Sequence, residues 1–297
     1  MSYISVVMST CNAKDYIAES IESVLKQSFS DFELIVVNDS STDNNINSII
    51  CSYHDKRIRL IDNDIKDHIQ SLNLGIKAST GKYIARMNAG NIMHVDRLKI
   101  QYSIMEEYPD ITVCSCWETV FGEKMQGSIR EQKISGWIEL PLVQLLLDDI
   151  IINPVYTIRR SFITEHGLLF ENYGHAEDYK FWVETAKLNG GFYIDSQPLV
   201  YRRISDAKIP EKSREEHVQS ISTIKKEILY FLNNKYCKKY PALTTLYNSY
   251  YELLSQNLIF EDDIFKLFHS LFMKNMNTFK SFESNQKIKK VTCQKKK

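Results

Sequence analysis

Along the first third of the chain, short unbroken apolar runs alternate with stretches in which apolar residues recur every three or four positions. The run Ile4, Val6, Val7, Met8 reads as a strand buried on both faces of a parallel sheet, closed by the polar residues 9–12. Asn12, with Asp15 three residues on, predicts the cap of a helix whose apolar face is Ile17, Ile21, Val24 and Leu25. The design then repeats. Residues 32–37 predict a second buried strand, residues 38–43 a turn rich in capping side chains, and a helix runs from there to about Tyr53. Residues 58–61 predict a third strand, residues 67–78 a helix, and a fourth strand begins at Tyr83. The spacing suits right-handed crossovers, so the pattern predicts a Rossmann-like parallel sheet over residues 1–110.

The strand at Tyr83 runs into a polar, glycine-containing loop at residues 88–91, and a helix begins near residue 95 with Arg97 and Leu98 in its first turn. Ligands of open α/β sheets bind beyond the carboxyl ends of the strands, so this loop is the expected place for chemistry. Further on, residues 111–117 predict another strand, residues 123–135 a polar flap of loop character, and residues 138–147 a helix. After Pro210 the period is helical: Val218, Ile221, Ile224, Ile228, Leu229 and Leu232, then Leu243, Leu246, Tyr250, Leu253 and Leu254, then Ile259, Phe260, Ile264, Phe265, Phe268, Leu271 and Phe272. Pro241 separates the first two of these helices. The pattern predicts a helical extension over residues 211–297 that caps the preceding domain; its aromatic last helix and lysine-rich end also suit an interfacial helix on an anionic membrane.

With 37 basic and 37 acidic residues the formal charge is zero, which turns the reading away from nucleic acid and toward a catalytic or small-ligand protein. The six cysteines form no CxxC pair, and Cys114 and Cys116 read as buried groups on one strand face, which fits a reducing cytosol. The N-terminal apolar run lacks a basic flank and is too short for a signal peptide or a span, so a cytoplasmic protein is expected, with peripheral contact at the inner membrane face as an option.

Several segments, in this order, carry a family likeness: VVMSTCN (6–12), DFELIVVNDSSTD (31–43), NLGI (73–76), ARMNAGNI (85–92), INPVYTIRRSF (152–162), FENYGHAEDYKFW (170–182) and LVYRRISD (199–206). Together they resemble family 2 glycosyltransferases of the GT-A type over residues 3–206. The resemblance implies a GT-A domain over residues 1–210, with a nucleotide-binding half (1–110) and an acceptor half (111–210). It implies transfer of a sugar from a nucleoside diphosphate sugar, UDP-linked by preference, to a glycan or lipid-linked acceptor in surface polysaccharide synthesis, with inversion. Asp178 falls where the family carries its general base, with Glu177 beside it. Thr10, Cys11, Asp39, Arg86, Asn88, Ala89, Gly90 and Arg203 fall along the nucleotide-sugar site, Asp39 where the base of the nucleotide is read.

The family also implies Mg²⁺ or Mn²⁺ on the diphosphate. Its metal positions are occupied here by Asn88, Gly90 and Ser205, with Asn91 neutral too. Cys11 stands for the tyrosine that packs on the base, Asn38 for the first aspartate of its pair, and Asn153 for a histidine. One reading is that a protein cation replaces the ion, with Arg86, Arg202 and Arg203 as candidates. Tyr173, Tyr179 and Trp182 are candidates for an acceptor-sugar wall, with core packing the equal alternative for Trp182, and His175 is a candidate for orienting the base. A rival reading is a catalytically degenerate relative that binds a glycan, a nucleotide or a partner. A nucleotidyltransferase is disfavoured because no glycine-rich, lysine-bearing phosphate loop follows the first strand.

Overall fold

The computed structural model describes residues 2–39, 45–122, 125–131, 134–152, 154–204 and 210–281. They fall into two compact units, Met1–Ile138 with Ile150–His217, and Glu139–Asp149 with Val218–Lys297.

The first unit opens with β1 (Ile4–Thr10), α1 (Lys14–Leu25), β2 (Phe32–Asp39), α2 (Asn45–Cys51), β3 (Ile58–Asn63), α3 (His68–Ala78) and β4 (Tyr83–Asn88). The four strands pair in parallel in the order β3-β2-β1-β4. β1 and β2 are buried along their whole length, as their unbroken apolar runs require. Gly75 of α3 lets that helix lie close to the sheet, since a Cβ there would meet Val7 Cγ1 at 2.3 Å. Asp67 caps α3, accepting from the amides of Ile69 and Gln70. Asn12 does not cap α1. Its φ is +52°, it belongs to the turn, and the helix starts behind Ala13 with no side-chain cap. Asparagine tolerates the left-handed region, and that use competes with capping.

The chain continues through β5 (Ile92–Met93), α4 (Arg97–Glu107), β6 (Ile111–Gly122), β7 (Met125–Arg130) and β8 (Gly136–Trp137). The short α5 (Pro141–Gln144) belongs to the second unit. Then come β9 (Thr157–Arg159), α6 (Arg160–His166), α7 (Glu177–Lys187) and β10 (Gly191–Arg203). β9 runs antiparallel between β4 and β6, β10 runs parallel to β6, and β5 and β8 pair antiparallel with β10. Residues 125–130 are not the predicted loop. They pair antiparallel with β6 as a hairpin outgrowth whose residues 127–130 are exposed, so no apolar stripe announces the strand. The predicted helix over residues 138–147 shrinks to α5, because Leu140 takes a φ of +48° and Pro141 forces a new start. Cys114 and Cys116 are fully buried on β6, and burial pushes both thiols up, Cys116 to about 12.

In the second unit α5 is joined by α8 (Glu211–Tyr236, which begins within the first unit), α9 (Pro241–Ser255) and α10 (Glu261–Lys274). Ile224, Ile228, Leu229 and Leu232 are buried on α8, and Ile264, Phe265, Phe268 and Phe272 on α10. The Phe272 ring stands 5.3 Å from that of Tyr236 and 4.4 Å from that of Phe279.

Candidate active site

The carboxyl ends of β1, β2 and β4 are polar and lie side by side, with Ser9 opposite Asn88 and Thr10 opposite Asn38. Asn38 donates to Asn47 Oδ1 at 3.0 Å and Asp62 Oδ1 at 3.2 Å, which ties β2 to α2 and β3. Asp39 is buried, and its Oδ1 accepts from the Asp67 amide at 3.0 Å, so the carboxylate is fixed against the start of α3. Residues 40–43 of the predicted capping turn lie outside the described residues. Cys11 is exposed at the mouth of β1.

Three buried polar atoms at these strand ends, Thr10 Oγ1, Arg86 Nε and Asn88 Oδ1, have no hydrogen-bond partner among the described residues. Buried polar groups are nearly always satisfied, so these three atoms are available to hydrogen-bond a polar ligand. The loop after β4 is held by α1. Ser20 Oγ accepts from the Gly90 amide at 2.8 Å and donates to the Asn91 carbonyl at 2.8 Å, while the Ala89 amide donates to Ser9 O at 3.2 Å.

Asp178 stands in the first turn of α7, and the Tyr156 hydroxyl donates to its Oδ1 at 3.3 Å. The amide dipoles of a helix start favour an ionised acid. Burial opposes that and pushes its pKa up to about 6; Glu177 adds to the rise, while the Arg86 guanidinium and the Tyr156 hydroxyl pull it back. The carboxyl is mostly ionised at neutral pH and basic enough to take a proton. Burial likewise drives the Tyr156 phenol well up, which keeps it a donor.

Arg97 holds the floor of this group. It is fully buried, and its Nη2 donates to the backbone carbonyls of Arg86 at 3.0 Å and Tyr156 at 3.1 Å. Gln101, accepting from Arg97 Nε, reaches on to the carbonyls of Cys114 and Val155. Burial pushes the His68 pKa down and Arg86 adds to this, while Glu177, Asp39 and Asp67 push the other way. His68, at the start of α3, therefore lies within electrostatic reach of both Asp39 on β2 and Glu177 on α7. Sequence reasoning missed Tyr156 and His68. The only signal for Tyr156 was its place inside the INPVYTIRRSF segment.

Trp182 and Tyr179 are not a sugar wall. Both are buried, and Trp182 packs edge-on against Tyr156 at 4.5 Å. Tyr173 is partly exposed and lies under the Lys180 ammonium at 5.1 Å. His175 is exposed, with a φ of +68°, and its carbonyl meets His217 Nδ1 at 2.9 Å.

The metal positions do not fit Mg²⁺ or Mn²⁺. Hard divalent cations take carboxylate oxygens, and here Asn88 offers a neutral oxygen, Gly90 no side chain, and Asn91 Oδ1 is engaged with the Arg203 amide at 3.2 Å. Ser205 and Asn153 lie outside the described residues. Among the described residues no group of three or more His, Cys, Asp or Glu side chains is arranged to hold a metal ion.

The three arginines differ. Arg202 Nε donates to both oxygens of Glu118, at 2.9 and 3.0 Å, and Glu118 is fully buried, so that cation is committed. Arg86 donates from Nη2 to Ser9 Oγ at 3.1 Å and from Nη1 to the Met87 carbonyl. Arg203 reaches into the loop, Nε donating to the Gly90 carbonyl at 3.2 Å, and Nη2 meets Glu19.

A parallel sheet with polar strand ends, an antiparallel crossing strand and a helix-borne carboxylate facing them has the form of a GT-A-type glycosyltransferase. S. aureus TarS 1–349 in complex with UDP-GlcNAc superposes with a TM-score of 0.62 at 20% identity, over 80% of this chain and 73% of that one. The chain belongs to glycosyl transferase family 2, whose sequence profile matches residues 5–168, and it is a glycosyltransferase. An uncharacterized glycosyltransferase of Haemophilus influenzae is 34% identical over 241 residues, covering 77% of this chain and 74% of its own. WfgD of Escherichia coli, a UDP-Glc:alpha-D-GlcNAc-diphosphoundecaprenol beta-1,3-glucosyltransferase, is 27% identical over 225 residues, covering 71% of this chain and 83% of its own.

Proposed function

We propose that this chain transfers a sugar from a UDP-linked donor to a glycan or lipid-linked acceptor in the making of a surface polysaccharide, with inversion and with Asp178 as the general base. The observation that carries it is the Asp178 carboxyl, raised to about 6 beside Tyr156 and in the field of Arg86, together with the unsatisfied Thr10 Oγ1, Arg86 Nε and Asn88 Oδ1 at the strand ends. The acceptor hydroxyl gives its proton to Asp178 as its oxygen attacks the anomeric carbon, and the nucleoside diphosphate leaves from the opposite face. Glu177 adds negative charge that keeps Asp178 basic. Asp39 accepts from the imide N–H of the base with the oxygen that Asp67 leaves open, and Thr10, Cys11, Arg86, Asn88, Ala89 and Gly90 line the path from base to diphosphate. Residues 1–210 form the catalytic domain in this reading, and residues 211–297 are a helical extension. The UDP complexes of TarS and the lipid-linked acceptor in the name of WfgD support the choice of donor and acceptor class and a place at the cytoplasmic membrane surface.

The test is Asp178→Asn, assayed by mass spectrometry for sugar transfer from UDP-glucose and UDP-GlcNAc to a GlcNAc-diphospholipid, with UDP binding followed by calorimetry. Transfer should fall by about 10²- to 10⁴-fold while UDP binding persists. Undiminished transfer would remove Asp178 from the role. The neutral residues at Asn88 and Gly90 favour a second reading, a binding protein without catalysis; wild-type protein that binds UDP and transfers nothing to any acceptor would support it.

A further inference from the structure

The departing diphosphate gains negative charge as the glycosidic bond breaks, and something in the site must be positive. The loop that ought to hold a divalent ion is built differently here. Gly90 has a φ of +100°, a conformation that L side chains rarely adopt, so the backbone itself keeps the position free of a carboxylate. A guanidinium lies against this loop. Arg203 Nε donates to the Gly90 carbonyl at 3.2 Å, and its own amide donates to Asn91 Oδ1 at 3.2 Å. Its guanidinium carbon lies 4.4 Å from the Tyr16 ring centre and 4.6 Å from that of Phe121, an aromatic clamp that fixes a planar cation in place. The remaining contact is with Glu19 on α1, whose side chain is 53% exposed. An exposed ion pair of this kind contributes little and exchanges readily for a stronger anion.

We propose that Arg203 is the fixed cation that receives the diphosphate of the nucleotide donor in place of a divalent metal, and that Glu19 is the resident anion the diphosphate displaces. The inference rests on the donor site proposed above and adds what fills its positive end. The carboxylate of Glu19 takes Arg203 Nη2, a donor that a phosphate oxygen can take in its place, and a phosphate brings more charge to it. Tyr16, Phe121 and the Gly90 carbonyl hold the guanidinium whether Glu19 or the ligand is present. Arg202, one residue earlier, does not share this role because it is held by the buried Glu118.

The experiment is calorimetric titration of the full chain and two variants, Glu19→Gln and Arg203→Met, with UDP and with UMP, each in EDTA and in Mn²⁺. Wild-type protein should bind UDP equally well under both conditions. Arg203→Met, which keeps a flexible apolar stem between the rings, should bind UDP about ten- to a hundredfold more weakly and no better than UMP. Glu19→Gln lies on an exposed helix surface and should fold; it should bind UDP more tightly than wild type at low salt and leave UMP unchanged. UDP binding that requires Mn²⁺, an Arg203→Met protein that still prefers UDP over UMP, or a Glu19→Gln protein with unchanged or weaker UDP affinity would each overturn the inference while leaving the transferase reading standing. No binding of either nucleotide by wild-type protein, with or without Mn²⁺, would instead overturn the donor reading itself.

Discussion

Asp178 is set between opposing forces, and its proton affinity is the sum of them. Burial raises its pKa, and Arg86 and the Tyr156 hydroxyl lower it, to leave it at about 6. An acid that must be ionised to act gives a rate that rises with pH through its pKa, so the acid limb of the pH–rate profile should sit near that value. Tyr156→Phe removes a donor that favours the charged form. The pKa of Asp178 then rises, and the limb moves to higher pH. The rate at pH 6 should fall by roughly two- to fivefold relative to the rate at pH 8, where the base is ionised in both proteins. A variant whose profile keeps its midpoint would show that Tyr156 only packs. At this scale Asp178 and Asp39 stood out as candidates because both stand in segments with recognisable neighbours. Tyr156 meets Asp178 across 22 positions, and Arg203 meets Glu19 across 184, and no local pattern encodes pairs that only the fold brings together.

The elements that sequence reading placed well are those with a buried face. β1, β2 and α3 lie close to where the sequence pattern puts them. It misplaced the elements whose hydrogen bonds are decided by distant partners: the exposed β7, the curtailed α5 and the turn at Asn12. The β6–β10 pair shows the same limit in its side chains. Arg202 was open as a site cation, yet it spans the two strands to Glu118, which is fully buried, with Arg130 Nη1 at 3.5 Å on the same oxygen. Removing one partner of a buried ion pair strands the other charge. With Arg202 29% exposed and Arg130 still beside Glu118, Arg202→Met should cost about 1–3 kcal/mol in urea-induced unfolding, and adding Glu118→Gln should recover much of that loss. UDP affinity of the folded Arg202→Met protein should match wild type. A stable variant with impaired UDP binding would return Arg202 to the site.

For the whole molecule the open matter is its relation to membranes, since the proposed acceptor is lipid-linked. No helix among the described residues is long and apolar enough to cross a bilayer. The aromatic face of α10, which the sequence left free to lie in an interface, is spent inside its own unit, with Phe265, Phe268 and Phe272 buried. Leu258 and Phe260 are exposed, at 64% and 80%, but Glu261, Asp262 and Asp263 follow at once and would be repelled by anionic lipid. What remains is the lysine-rich end, Lys287, Lys289, Lys290, Lys295, Lys296 and Lys297, whose structure lies outside the described residues. The 37 basic residues that balance the chain's 37 acidic ones include these six lysines, so the positive charge concentrated at this end would attract an anionic surface by about 1 kcal/mol per lysine, an attraction that salt screens and that the net negative remainder opposes. The full chain should float with phosphatidylglycerol vesicles at low ionic strength, sink at 0.5 M salt, which cuts the screening length to about half its 0.1 M value, and never float with phosphatidylcholine vesicles. Replacing the six lysines by glutamine should abolish flotation. Flotation with neutral vesicles would mean that an apolar surface inserts, and it would move the membrane contact from the charged tail to the helices.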